Sequence, residues 1–189
     1  RTWARAYAPG IGSMAMKKLV VAGLLLCCAT LSAQAQGLSP VYTSIQNCPS
    51  LQSLTLADRT VSRAQGFGIM RCKGTGGLDL AVVDEDPRSW LAVIAGRYVY
   101  GLHAPMVQGF KLGHFPDIST TKVVEWRVNG EGSPEAFIVR VHYQDPNVPA
   151  TQPNAQRSTL MVFSLRTLPP RLVGMTPDNA AARRMADGQ

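Results

Sequence analysis

A chain of 189 residues, 46% hydrophobic and 16% charged with a mean hydropathy of +0.00, suits a globular protein that can bury a core, and one domain is expected. The formal charge of +7 invites a nucleic-acid partner, but Arg1, Arg5, Lys17 and Lys18 supply four of those charges and no acid precedes Asp58. Without residues 1–35 the balance is 15 basic against 12 acidic residues, a net of +3, which removes most of the case for nucleic acid.

Lys17 and Lys18 precede an apolar run over residues 19–31 and then Ser32-Ala33-Gln34-Ala35, the three-part pattern of a secretory signal peptide ending in a small-x-small cleavage site. Cleavage is expected after Ala35, which makes residues 14–35 the signal peptide and 36–189 a single β-rich domain, periplasmic or secreted. Residues 1–13, ahead of Met14 and Met16, read as an upstream extension or an expression remnant. A retained anchor is the alternative, though the run is short of the roughly 20 apolar residues that span a bilayer. Cys27 and Cys28 leave with the signal, so Cys48 and Cys72 remain and are expected to pair in an oxidising compartment, with two unpaired thiols as the alternative. No Cys-x-x-Cys spacing or His/Cys cluster points to zinc or a redox site.

Along the mature chain, residues 41–46 alternate as a half-buried strand, and Cys48-Pro49 ends it. Leu51, Leu54 and Leu56 fit a helical turn or loop as well as a strand, residues 59–63 fit a short strand, and residues 67–72 bring Cys72 back toward Cys48. Gly74, Gly76 and Gly77 are followed by a strand and not a helix, which argues against a phosphate cradle. Leu78, Leu80 and Val82 alternate with polar or small residues, residues 90–95 are apolar on both faces, and Asp84-Glu85-Asp86-Pro87-Arg88 makes the corner between them. This hairpin is expected to organise the fold. Residues 102–121, rich in Gly and Pro and holding His103 and His114, read as a long exposed loop on the functional side.

Residues 122–128 alternate Val124, Trp126 and Val128 against Glu125 and Arg127, and Asn129-Gly130 announces a hairpin with a lengthened turn. Its return strand, residues 136–144, sets Phe137, Val139, Val141 and Tyr143 against Ile138, Arg140 and His142, with Arg140 expected to pair across to Glu125. A polar loop over 145–156, a strand over 158–165, a last short strand over 171–174 and a helix over 180–186, capped by Asp178 or Thr176, complete the chain. The expected fold is mainly β, an antiparallel sandwich or a partly open barrel with a short C-terminal helix.

The chemistry is sparse. Asp84, Glu85 and Asp86 could serve acid–base catalysis, but neighbours in a turn face different ways, and the structural reading has Asp86 bonding its own turn while Arg88 meets it or Glu125. The EF-hand alternation is absent, and no Gly-x-Ser-x-Gly elbow accompanies a histidine. Trp90 and Trp126 read as core. No catalytic residue, cofactor or metal is expected.

The cysteine of residues 42–48, Cys72-Lys73-Gly74-Thr75-Gly76-Gly77, Asp84 to Arg88, and Glu125-Trp126-Arg127 with Ile138 and Arg140 together resemble a family of small exported proteobacterial proteins without an assigned activity. The resemblance covers most of the mature chain and implies export and the first disulfide. Many members carry further cysteines in the C-terminal half, and this chain has none there. The function expected is a non-catalytic binding or interaction module of the cell envelope, inhibitor-like or accessory, with an envelope protein or polysaccharide as partner. An envelope hydrolase using the acidic corner and a histidine is the alternative. Asp84, Asp86, Arg88, Glu125, Arg127 and Arg140 are expected to form an ion network or a recognition corner.

Overall fold

The computed structural model describes residues 37–108 and 112–189, so the expected signal peptide and residues 1–13 lie outside the described residues. The chain begins with β1 (Ser39–Ser44) and a small hairpin of β2 (Ser53–Thr55) and β3 (Thr60–Ser62), which settles the Leu51 to Leu56 ambiguity as a strand. A four-stranded meander follows: β4 (Gly68–Lys73), β5 (Leu78–Glu85), β6 (Arg88–Ala95) and β7 (Tyr98–Gly101). After a π-helical turn at Ala104–Gln108 come β8 (His114–Asp117), β9 (Val123–Val128), β10 (Pro134–Gln144), β11 (Gln156–Ser164), β12 (Arg171–Thr176) and the helix α1 (Asn179–Asp187).

All strand pairs are antiparallel, and the larger sheet runs β1-β9-β10-β11-β12, with β8 also paired to the far end of β10. Among the described residues no closed barrel forms. The two sheets share one core, as a sandwich does, because the period of two gives each strand an inner face. On the larger sheet that face is an aromatic row across neighbouring strands: Phe137 lies opposite Trp126 on one side and Phe163 on the other, with ring centroids 5.6 Å and 5.0 Å away. The indole N–H of Trp126 would be costly to bury alone and donates to Thr43 Oγ1 at 2.8 Å.

The central hairpin folds as expected. β5 and β6 pair from Leu78 opposite Ala95 to Glu85 opposite Arg88, which leaves Asp86-Pro87 as the turn. Cys72, at the end of β4, is bonded to Cys48 with Cα atoms 5.1 Å apart. That disulfide points to a location outside the cytoplasm. Gly74 follows at once, and a Cβ there would collide with the Leu78 carbonyl and come within 2.7 Å of the Trp126 ring. Only glycine lets the stapled corner of one sheet sit on the central indole of the other.

Residues 102–121 depart from the expected exposed loop. Leu102, Met106, Leu112 and Ile118 are buried, and β8 extends the larger sheet. Prolines and glycines in the sequence masked an apolar spacing that the core uses. Among the described residues no helix is long and apolar enough to cross a membrane.

Candidate functional site

The outer face of the larger sheet is covered by α1. Asp178 caps that helix by accepting from Ala181 N at 2.7 Å, and Ala182 and Ala186 pack on Ala136, Ile138, Leu160 and Val162. Small side chains let the helix lie close, and at Gly174 a Cβ would stand 3.0 Å from Met185 Sδ. The helix begins only at Asn179, so the next outward residues of β10, Arg140 and His142, open into a cleft of about 430 Å³ floored by Ile138 and Leu160. Asn179 and Arg183 form one wall, Tyr42 and Glu125 a second, and Thr121 and Lys122 a third.

The second wall is held by ion pairs that reach back under the helix. Glu125 Oε1 accepts from Arg183 Nε at 2.8 Å and from Arg127 Nη1 at 3.3 Å, while Oε2 accepts from Arg183 Nη2 at 2.9 Å and Tyr42 Oη at 3.3 Å. Arg127 is buried and forks onto Asp187 at the end of α1, Nε to Oδ1 at 2.9 Å and Nη2 to Oδ2 at 2.8 Å, and it also donates to the Leu38 carbonyl. Its Asp187 hydrogen bonds outweigh the burial and raise its pKa, and Glu125 does the same for Arg183. Two guanidiniums face two carboxylates. The wall is therefore close to neutral.

Arg140 is different. Its Nη1 donates to Ser158 Oγ at 3.1 Å and its Nη2 to Asn179 Oδ1 at 3.5 Å, both uncharged partners. The expected pair with Glu125 does not form, because the register sets Ile138 opposite Glu125 and Glu125 is taken by Arg127 and Arg183. Among the described residues neither Arg140 nor Lys122 lies within 4.0 Å of a carboxylate oxygen. The Thr121 hydroxyl donates to the Arg140 carbonyl at 2.7 Å and fixes the third wall.

The acidic corner lies on the smaller sheet as a separate place. Asp86 is exposed, and the Arg88 guanidinium stacks over the Phe115 ring, 5.6 Å from its centroid, instead of meeting Asp86 or Glu125. Asp84 lines a shallow pocket of about 310 Å³ with Asp86, Arg88, Asp117 and Ser119. Burial and then the charge of Asp117 push the Asp84 carboxyl up. Burial also works to raise Asp117, but hydrogen bonds from Ser119 Oγ and Ser89 Oγ, each 2.6 Å, outweigh it and hold Asp117 below the usual range. Among the described residues no group of three His, Cys, Asp or Glu is disposed to hold a metal.

One histidine does reach the corner. His103 Nε2 lies 3.2 Å from Glu85 Oε2 with its ring edge-on to Trp90, and the Arg59 guanidinium sits over the same indole, 5.8 Å from its centroid. Burial first, then the Arg59 charge, push the His103 pKa down against the pull of Glu85. The His103 contact becomes a hydrogen bond only with the proton on Nε2, and otherwise Glu85 Oε2, like Trp90 Nε1, is buried without a partner among the described residues.

The six residues grouped from the sequence thus divide between two places: Glu125 and Arg140 line the cleft with Arg127 buried behind Glu125, while Asp84, Asp86 and Arg88 stay at the corner. The sequence pattern does not single out Tyr42, Lys122, Arg183 or Asp187. The alternation of β1 could have offered Tyr42 as a partner for Glu125, but nothing local in the sequence brings α1 to β9. Comparison with protein-family models, with curated proteins and with solved structures returns no match for this chain.

Proposed function

We propose that this chain is a non-catalytic binding module of the bacterial cell envelope, periplasmic or secreted, and that the cleft beside α1 is its recognition site. The observation that carries the reading is the pair of cations, Arg140 and Lys122, facing an open cleft without a carboxylate partner among the described residues. A charge left uncompensated in a concave site favours an anionic partner. Two of the hydroxyls at the cleft are engaged in structural bonds, Thr121 to a backbone carbonyl and Tyr42 to Glu125. That arrangement suits holding a ligand better than attacking one.

The Glu85–His103 contact favours a second reading, an envelope hydrolase at the acidic corner. The corner's hydroxyl within β6, Ser89, is buried and bonded both to Asp117 and to the Ile118 amide, so it supports a fold more readily than a nucleophilic step. Immobilised protein tested against envelope protein and polysaccharide fractions, beside turnover assays on ester, glycoside and peptide substrates, separates the two. Saturable binding lost in the Arg140→Ala/Lys122→Ala double variant, without turnover, is the expected result. Turnover that disappears in His103→Ala would make the hydrolase the better reading.

A further inference from the structure

We infer that the cleft takes a carboxylated sugar unit, a hexuronate or its like, with the carboxylate on Arg140; this rests on the cleft being the recognition site. A guanidinium has five N–H donors in a rigid fork. Ser158 and Asn179 accept two of them from Arg140 and steady its plane, which leaves the remaining donors for a planar carboxylate. The ion network of Arg183 and Glu125 at the cleft with Arg127 and Asp187 behind them is balanced and adds no net charge, so Arg140 and Lys122 supply a surplus suited to one or two negative charges.

The rest of the cleft describes the ligand's body. Ile138 and Leu160 make an apolar floor, while Thr120, Thr121, Asn179 and His142 place hydroxyl, amide and imidazole groups around it. A sugar ring has that character, with C–H faces above and below and hydroxyls at its rim. The volume of about 430 Å³ falls at the smaller end of sites for small organic ligands. A phosphate dianion fits less well. Phosphate sites draw on backbone amides at a helix N-terminus, and here Asp178 occupies that end and adds its own negative charge. An amino acid fits less well too, since its ammonium would meet the same cationic surplus.

Titration of the isotope-labelled mature protein with trigalacturonate, galactose and inorganic phosphate, followed by amide chemical shifts and calorimetry, tests the assignment. Trigalacturonate should bind saturably and shift the amides of Thr121, Arg140 and Asn179, with galactose at least tenfold weaker. Arg140→Ala should weaken trigalacturonate tenfold or more, Arg140→Lys should weaken it less, and Lys122→Ala, at an exposed position, should weaken it several-fold. Galactose or phosphate binding as tightly as trigalacturonate overturns the ligand class, as does indifference to Arg140→Ala in a folded variant. An envelope fraction that still needs Arg140 and Lys122 while trigalacturonate fails would leave the cleft reading standing and this inference lost. Envelope binding indifferent to both residues would remove both.

Discussion

Arg127 on β9 and Asp187 at the last turn of α1 form a two-point ion pair, at 2.9 and 2.8 Å, with the guanidinium almost wholly shielded from water. The pair ties the C-terminal helix to the sheet face it covers. Removing one partner of a shielded pair strands the other charge, so Arg127→Ala should lower unfolding free energy by about 3 to 5 kcal/mol. Arg183 binds Glu125 from a side chain 44% exposed, where solvent screens the pair, and Arg183→Ala should cost under about 1 kcal/mol. Urea melts of the two variants check the contrast, and equal losses would mean the network does not depend on burial.

The disulfide closes a loop with a sequence separation of 24 between Cys48 and Cys72. On chain entropy such a loop is worth about 3.5 kcal/mol, because the link removes conformations from the unfolded state. The Cys48→Ser/Cys72→Ser variant should therefore lose about 3.5 kcal/mol of unfolding free energy and melt earlier while keeping its far-ultraviolet circular dichroism. Peptide mapping of the unreduced protein should recover the two cysteines linked.

Arg88→Ala bears on the corner. Stacked on exposed Phe115 without an acidic partner among the described residues, Arg88 should contribute less than about 1 kcal/mol. A loss of several kcal/mol on denaturation would show that it answers a carboxylate after all.

Asp84 and Asp117 should have opposite effects on stability against pH. Asp84 has its folded pKa raised, so it is neutral to stability while protonated in both states and becomes a cost as pH rises from its unfolded to its folded value and beyond. Asp117 has its folded pKa lowered, so it stabilises above the unfolded value, and that contribution is lost as pH falls through the folded one. Asp84→Asn should then be more stable than the wild type at neutral pH, with the difference vanishing near about pH 3. Asp117→Asn should be less stable at neutral pH, since its oxygen can keep the bonds from Ser89 Oγ and Ser119 N while its NH2 group cannot accept the one that Oδ2 takes from Ser119 Oγ. Parallel stability–pH curves for the two variants would contradict the argument.

Much of the fold is legible locally. The alternation in β9 and β10 assigns Val124, Trp126, Phe137 and Val139 to the core before any coordinate is known, since a strand shows opposite faces to successive residues. The turn at Asp86-Pro87, the Asp178 cap and the Cys48–Cys72 link belong to the same kind, because each depends on residue type and short-range geometry or on there being one partner to choose. The segment over residues 102–121 misleads by the same logic: its glycines and prolines are local signals of a loop, and the burial of Met106 and Ile118 comes from distant strands.

The sequence by itself determined the mainly β character, the inward faces of the strands, the staple and the acidic turn, all properties of short windows or of a single available pair. Only the tertiary structure decided which cation meets which carboxylate. Glu125 is 58 residues from Arg183, and Arg127 is 60 from Asp187, and these pairings follow from the helix folding back over β9. Arg140 stands two residues past Ile138, the position facing Glu125, and is left without a counter-charge because the helix supplied one to Glu125 first. The cleft exists where α1 stops covering the sheet. Its charge is a remainder of packing between elements far apart in the chain, and no short window of sequence contains that remainder.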